Sequence, residues 1–117
     1  MGLTYIEGKV IGNGDVSETV SFLVDSGANY TLLSKDIWEK LGLKAKKTLS
    51  FTLADGTKIE RAVSECRLEI LGEDFHTPVI LGEEGDEPLL GAVTLEILGV
   101  VLNPFNRTLQ PMRMMLA

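Results

Sequence analysis

The stretch Phe22-Leu23-Val24-Asp25-Ser26-Gly27-Ala28 decides how this chain of 117 residues is read. An apolar run, part of a β-branched and aromatic segment from Val16 to Val24, ends on a carboxylate followed by three small residues. The spacing predicts a strand that stops at Val24, with Asp25 at its C-terminal end where the chain turns sharply. Asp25 is then expected to be poorly solvated and rigidly held. Gly27 permits the turn and the close approach of a substrate. Ser26 offers a hydroxyl able to bond backbone across a symmetric junction, and Ala28 leaves room for a substrate main chain. Taken alone, Asp-Ser-Gly is also an ordinary turn, expected by chance in roughly one chain in twenty of this length.

Chemistry asks for more than one carboxylate. Hydrolysing an amide takes a base to activate water and an acid to protonate the carbonyl and the leaving nitrogen. Two carboxylates close together do both jobs, because like charges at short range share a proton. The sequence holds no second Asp-Ser-Gly or Asp-Thr-Gly, and Asp55-Gly56-Thr57 has similar letters in another order. The second carboxylate is therefore expected from a second copy, since a residue near a two-fold axis meets its own image.

Around this segment the pattern is mostly β. Leu3 to Ile11 and Val16 to Val24 flank the turn signal Gly12-Asn13-Gly14-Asp15, which predicts a first hairpin. Phe51 to Ala54 and Thr57 to Val63 flank Asp55-Gly56, which predicts a second, with positive φ at both central residues. Ser64 to Leu71 and Phe75 to Leu81 read as strands joined at Gly72-Glu73-Asp74, and Val100 to Leu102 and Arg107 to Leu109 as strands bracketing residues 103–106. Two short helices interrupt them. Ser34 caps Lys35 to Leu41, with Gly42 as its stop, and a second runs from about Ala92 to Leu98, with Gly99 as its stop.

Bulk properties narrow the function. The length suits a single domain over 1–117, and 44% apolar with 24% charged residues suits a packed core. A net charge of -6 argues against nucleic acid as a partner, and Lys44-Ala45-Lys46-Lys47 reads as a solvated loop after a helix. Cys66 is the only cysteine, which excludes an intrachain disulfide and disfavours a thiolate metal site. It reads as a small, half-buried strand residue. His76, the only histidine, has no nucleophile pattern near it. Apolar runs are too short to span a membrane, and a soluble, cytoplasmic protein is expected, with no cofactor and no metal.

The ordered motifs resemble the retropepsin-like aspartic proteases, the family of retroviral proteases and their cellular relatives. Phe22 to Ser34 is similar to the family's catalytic segment, including the Thr four residues after Gly27. Ala54-Asp55-Gly56-Thr57 stands at the position of its mobile flap, and Pro88-Leu89-Leu90-Gly91 before a helix is similar to its second signature. The resemblance implies a closed β-barrel of the acid protease fold, one lobe per chain, and a homodimer acting on peptide or unfolded protein. It implies Asp25, Ser26 and Gly27 as catalytic residues, and Ala28, Asn29, Ala54, Asp55, Gly56, Thr57, Pro88 and Leu89 as substrate-binding ones. Asn29 and Ala92 stand where retroviral enzymes carry Asp and Arg, so assembly is expected to use other contacts, such as strands from both termini. Residues 110–117 are expected to form a frayed tail or an apolar plug at the interface or cleft. The competing reading is a weak or inactive module that keeps the fold to dimerise or to bind peptides.

Overall fold

The computed structural model describes residues 3–103 and 105–112. The first expected hairpin forms, with β1 (Tyr5–Ile11) antiparallel to β2 (Ser17–Val24), Tyr5 opposite Leu23 and Ile11 opposite Ser17. Its turn uses Gly14 and Asp15 at φ 64° and 62°, a region that Gly enters freely and Asp more readily than most residues. Then come β3 (Thr31–Leu33), α1 (Lys35–Lys40), β4 (Lys47–Thr52), β5 (Lys58–Ile70) and β6 (Glu73–Leu81). β7 (Leu89–Leu90), α2 (Ala92–Leu98), β8 (Val100–Asn103) and β9 (Thr108–Pro111) complete the chain.

Seven strands form one sheet in the order β1-β2-β7-β3-β6-β5-β4. A further pairing of Lys9–Ile11 in β1 with Arg67–Glu69 in β5 closes six of them into a ring, leaving β4 outside. Period-two alternation fills the ring: Val20, Phe22 and Val24 point inward, while Ser21 is exposed. Val10, Phe22, Leu33, Leu68, Val79 and Leu90 are all but inaccessible and form the core, joined by Leu41 at the end of α1. β8 and β9 form a separate two-stranded sheet. Among the described residues no helix is long and apolar enough to cross a membrane.

Several local expectations change. The segments expected at 57–63 and 64–71 are one strand, β5, because no breaker separates Val63 from Ser64. Its first half pairs with β4 and its second with β6. The β5–β6 reversal is at Leu71-Gly72, both with positive φ, and not at Gly72-Glu73-Asp74. At the β4–β5 tip only Gly56 has positive φ, at 88°. The loop has three residues, closed by a Leu53 N–H bond to the Thr57 carbonyl at 2.7 Å, so the two-residue geometry expected for Asp-Gly does not apply. Lys47 already belongs to β4, so the basic stretch is only partly loop. Cys66 is buried rather than half-buried, at 4% exposure. β9 extends through Pro111, and the Met112 N–H reaches the Gly99 carbonyl at 2.6 Å. Of the segment expected as a frayed tail or interface plug from 110, Gln110 and Pro111 are therefore in a strand and Met112 is bonded beside it, and residues 113–117 lie outside the described residues.

Candidate active site

The segment that carries Asp25 is held by the shortest strand of the large sheet. β2 runs parallel to β7, Leu23 beside Leu89 and Val24 beside Leu90, and β3 lies antiparallel on β7's other edge, Leu32 beside Leu89. Residues 25–30 therefore leave β2, pass the end of β7 and return as β3. The Leu23 N–H donates to the Pro88 carbonyl at 3.2 Å and the Asp25 N–H to the Leu90 carbonyl at 3.0 Å. Pairing on both edges leaves β7 no freedom to shift, and the last ladder bond places Asp25.

Within the loop, the Gly27 N–H donates to Asp25 Oδ1 at 3.0 Å and the Ala28 N–H to the Asp25 carbonyl at 3.1 Å. Gly27 is not in the left-handed region, so the turn does not need its special φ. It needs the missing side chain: a Cβ there would stand 3.2 Å from Asp25 Oδ1 and crowd the carboxylate. Asp25 is half-buried, and Ser26 is exposed.

The first turn of α2 grips the other side of the loop. The Ala92 N–H donates to the Ala28 carbonyl at 2.8 Å and the Val93 N–H to the Asn29 carbonyl at 2.9 Å. These amides lack partners inside the helix, so the loop carbonyls satisfy them. Gly91 is where α2 and the loop touch: a Cβ would fall 2.4 Å from the Tyr30 carbonyl carbon. Of the expected residues, Asp25, Ser26, Gly27, Ala28 and Asn29 thus lie between the far end of β7 and the start of α2, while Pro88 and Leu89 stand at the near end of β7.

Ala54, Asp55, Gly56 and Thr57 form an exposed hairpin tip whose hydrogen bonds close on the hairpin itself. The Asp55 carboxylate accepts the Thr57 N–H at 2.8 Å, and its bonds to Thr57 hold it below the usual carboxylate range. That carboxylate shapes the turn. Hairpin and loop meet through Tyr30 and Phe51, an aromatic pair that sequence reasoning missed because the two are far apart in the chain. Thr77 and Thr94 were missed too. The one signal for Thr94 was a hydroxyl between Val93 and Leu95 in a helix that had to bury an apolar face. Among the described residues no three His, Cys, Asp or Glu side chains group as metal ligands.

The family model described as "gag-polyprotein putative aspartyl protease" matches residues 12–96, a span that holds the whole loop, the hairpin tip and β7. No curated protein matches the chain by sequence. Among solved structures, the EIAV protease complexed with the inhibitor HBY-793 superposes with a TM-score of 0.66 at 16% identity, covering 87% of this chain and 93% of that one. The simian foamy virus (mac) protease, a solution structure, gives a TM-score of 0.58 at 18% identity, covering 81% and 94%. At such identities the likeness is one of fold, and the ring of strands described above is that fold.

Proposed function

Because this chain belongs to the gag-polyprotein aspartyl protease family, we propose that it is an aspartic endopeptidase that works as a homodimer on extended peptide or unfolded-protein segments. One observation carries the reading. A single Asp25 is fixed from both sides, its own N–H held by the Leu90 carbonyl and its Oδ1 by the Gly27 N–H, beside an exposed Ser26. That is half of a hydrolytic site at a surface. A two-fold axis beside Ser26 brings the second Asp25 to the first.

Two such carboxylates share one proton. The ionised one takes a proton from water as the water oxygen bonds to the peptide carbonyl carbon, and the protonated one gives its proton to the carbonyl oxygen. The resulting diol collapses as the C–N bond breaks, the protonated carboxyl giving its proton to the nitrogen while a diol hydroxyl gives its own to the other carboxylate, which leaves a carboxylic acid, a free amine and the pair again sharing one proton. Ala28, Asn29, Pro88 and Leu89 line the cleft floor, and residues 54–57 cover it.

The test is cleavage of an unfolded protein at acidic pH by wild type and by Asp25→Asn, with sedimentation of both. Cleavage by a two-chain species, lost in the variant, is expected. Undiminished cleavage by Asp25→Asn overturns the assignment, and peptide binding without turnover at any pH replaces it with the non-catalytic module.

A further inference from the structure

Behind the catalytic loop three threonine hydroxyls meet in the core. Thr31 of β3, Thr77 of β6 and Thr94 of α2 are at most 1% exposed. Thr94 Oγ1 lies 2.6 Å from Thr31 Oγ1 and 2.8 Å from Thr77 Oγ1. The Gly91 N–H donates to Thr31 Oγ1 at 3.0 Å, and the Thr77 hydroxyl faces the Pro78 carbonyl at 3.4 Å.

Each hydroxyl has one proton to give, and that fixes a direction. Pro78 offers only an acceptor and Gly91 only a donor. The one arrangement that gives every hydroxyl proton a partner among these groups runs one way, from the Gly91 N–H to Thr31, from Thr31 to Thr94, from Thr94 to Thr77, and from Thr77 to the Pro78 carbonyl. A chain of like-directed bonds in a dry interior is stiffer than its members taken singly. Valine has nearly the same shape, so packing alone does not call for a hydroxyl at any of the three positions.

Thr94 is the middle of this chain and belongs to the helix whose first amides hold the Ala28 and Asn29 carbonyls. α2 has seven residues and too little length to set its own position by backbone bonds. We infer that Thr94 is a positioning residue: by bonding Thr31 and Thr77 together it seats α2, and through the Ala92 and Val93 amides it fixes the segment beyond Asp25 against which a peptide main chain lies. This rests on the protease reading above.

The test compares Thr94→Val with Thr94→Ser, which restores the hydroxyl, in the full chain at concentrations where sedimentation shows equal dimer content. Thr94→Val is expected to lose about tenfold or more in kcat with KM within about threefold, because small misplacements near reacting atoms act chiefly on the barrier. Exchange of the Ala92 and Val93 amides should quicken with it. Thr94→Ser should stay within about threefold of wild type in kcat and keep both amides protected. If Thr94→Val does not fold, Thr77→Val, which removes only the end of the chain, should show the same changes to a smaller degree. Wild-type kcat per folded dimer and unchanged amide exchange in the valine variant that folds would overturn the positioning role while leaving an Asp25-dependent protease intact. Wild type that never cleaves would overturn both.

Discussion

The ring of Tyr30 meets the ring of Phe51 edge-on, centroids 6.0 Å apart and planes at 87°. Tyr30 ends the loop that carries Asp25 and Phe51 lies in β4, one ladder pair before its tip end, so this pair joins that loop to the β4–β5 hairpin. Such pairs contribute about 0.5–1.5 kcal/mol beyond the area they bury. Phe51→Ala should raise KM for an extended peptide by about twofold to tenfold, with a smaller change in kcat. A double-mutant cycle with Tyr30→Ala measures the coupling, and a value near zero removes the pair from the mechanism.

Mixing Asp25→Asn with wild type distinguishes a shared site from two independent ones. After subunit exchange at equal amounts, only about one quarter of dimers hold two carboxylates, and activity should fall to that fraction. A fall to about half would mean that each chain works alone.

Glycine substitutions should differ by location. Gly91→Ala puts a Cβ 2.4 Å and 2.5 Å from the Tyr30 carbonyl carbon and oxygen, backbone atoms that cannot step aside. A loss of about 3 kcal/mol, with activity, is expected in urea titrations. Gly56→Ala meets nothing within 4 Å and suffers only its φ of 88°, at a cost of about 1 kcal/mol. Equal losses would contradict the contact at Gly91.

Burial, with Glu65 beside it, pushes the Cys66 thiol up to about 12. The folded chain should resist alkylation at pH 8 and react quickly once unfolded. The sign for stability follows: a thiol raised in the fold stabilises it below the unfolded value of about 8.5, and this contribution fades as pH rises from there towards 12. Cys66→Ser should flatten that alkaline limb in urea midpoints taken against pH.

At the acid end, Arg67 donates two hydrogen bonds to Asp74 across the β5–β6 ladder, at 2.7 Å and 2.5 Å, and holds its carboxyl below 3.8. A depressed carboxyl stabilises the fold above its unfolded pKa and loses that effect as pH falls through the folded value. The pair is solvent-exposed, so the difference between wild type and Asp74→Asn should be small, constant near neutrality, and vanish in strong acid. A difference that grows as pH falls would contradict this.

Local chemistry wrote much of this chain legibly. The first hairpin followed from alternation and Gly12-Asn13-Gly14-Asp15, and the ends of both helices followed from Gly42 and Gly99 in the left-handed conformation, whereas the face α2 buries is Thr94 and Leu95 rather than the expected Val93, Ile97 and Leu98, with Ile97 46% exposed. Asp25 at a strand end followed from the run before it. The Leu71-Gly72 reversal was missed because leucine gives no turn signal, and β5 was divided because its two halves serve different partners.

The sequence by itself determined where the candidate carboxylate stands, after an apolar strand and with a glycine two positions on, and that the motif occurs once. Only the tertiary structure decided what holds them. β7 between β2 and β3, Gly91 against Tyr30, and three threonines from three elements meeting in the core are contacts across 17 to 66 positions of sequence. Hydrogen bonds and close packing depend on distance in space, and no local pattern encodes that. Gly27 marks the boundary: its presence was legible, but its reason, room for the Asp25 carboxylate rather than a turn angle, was not.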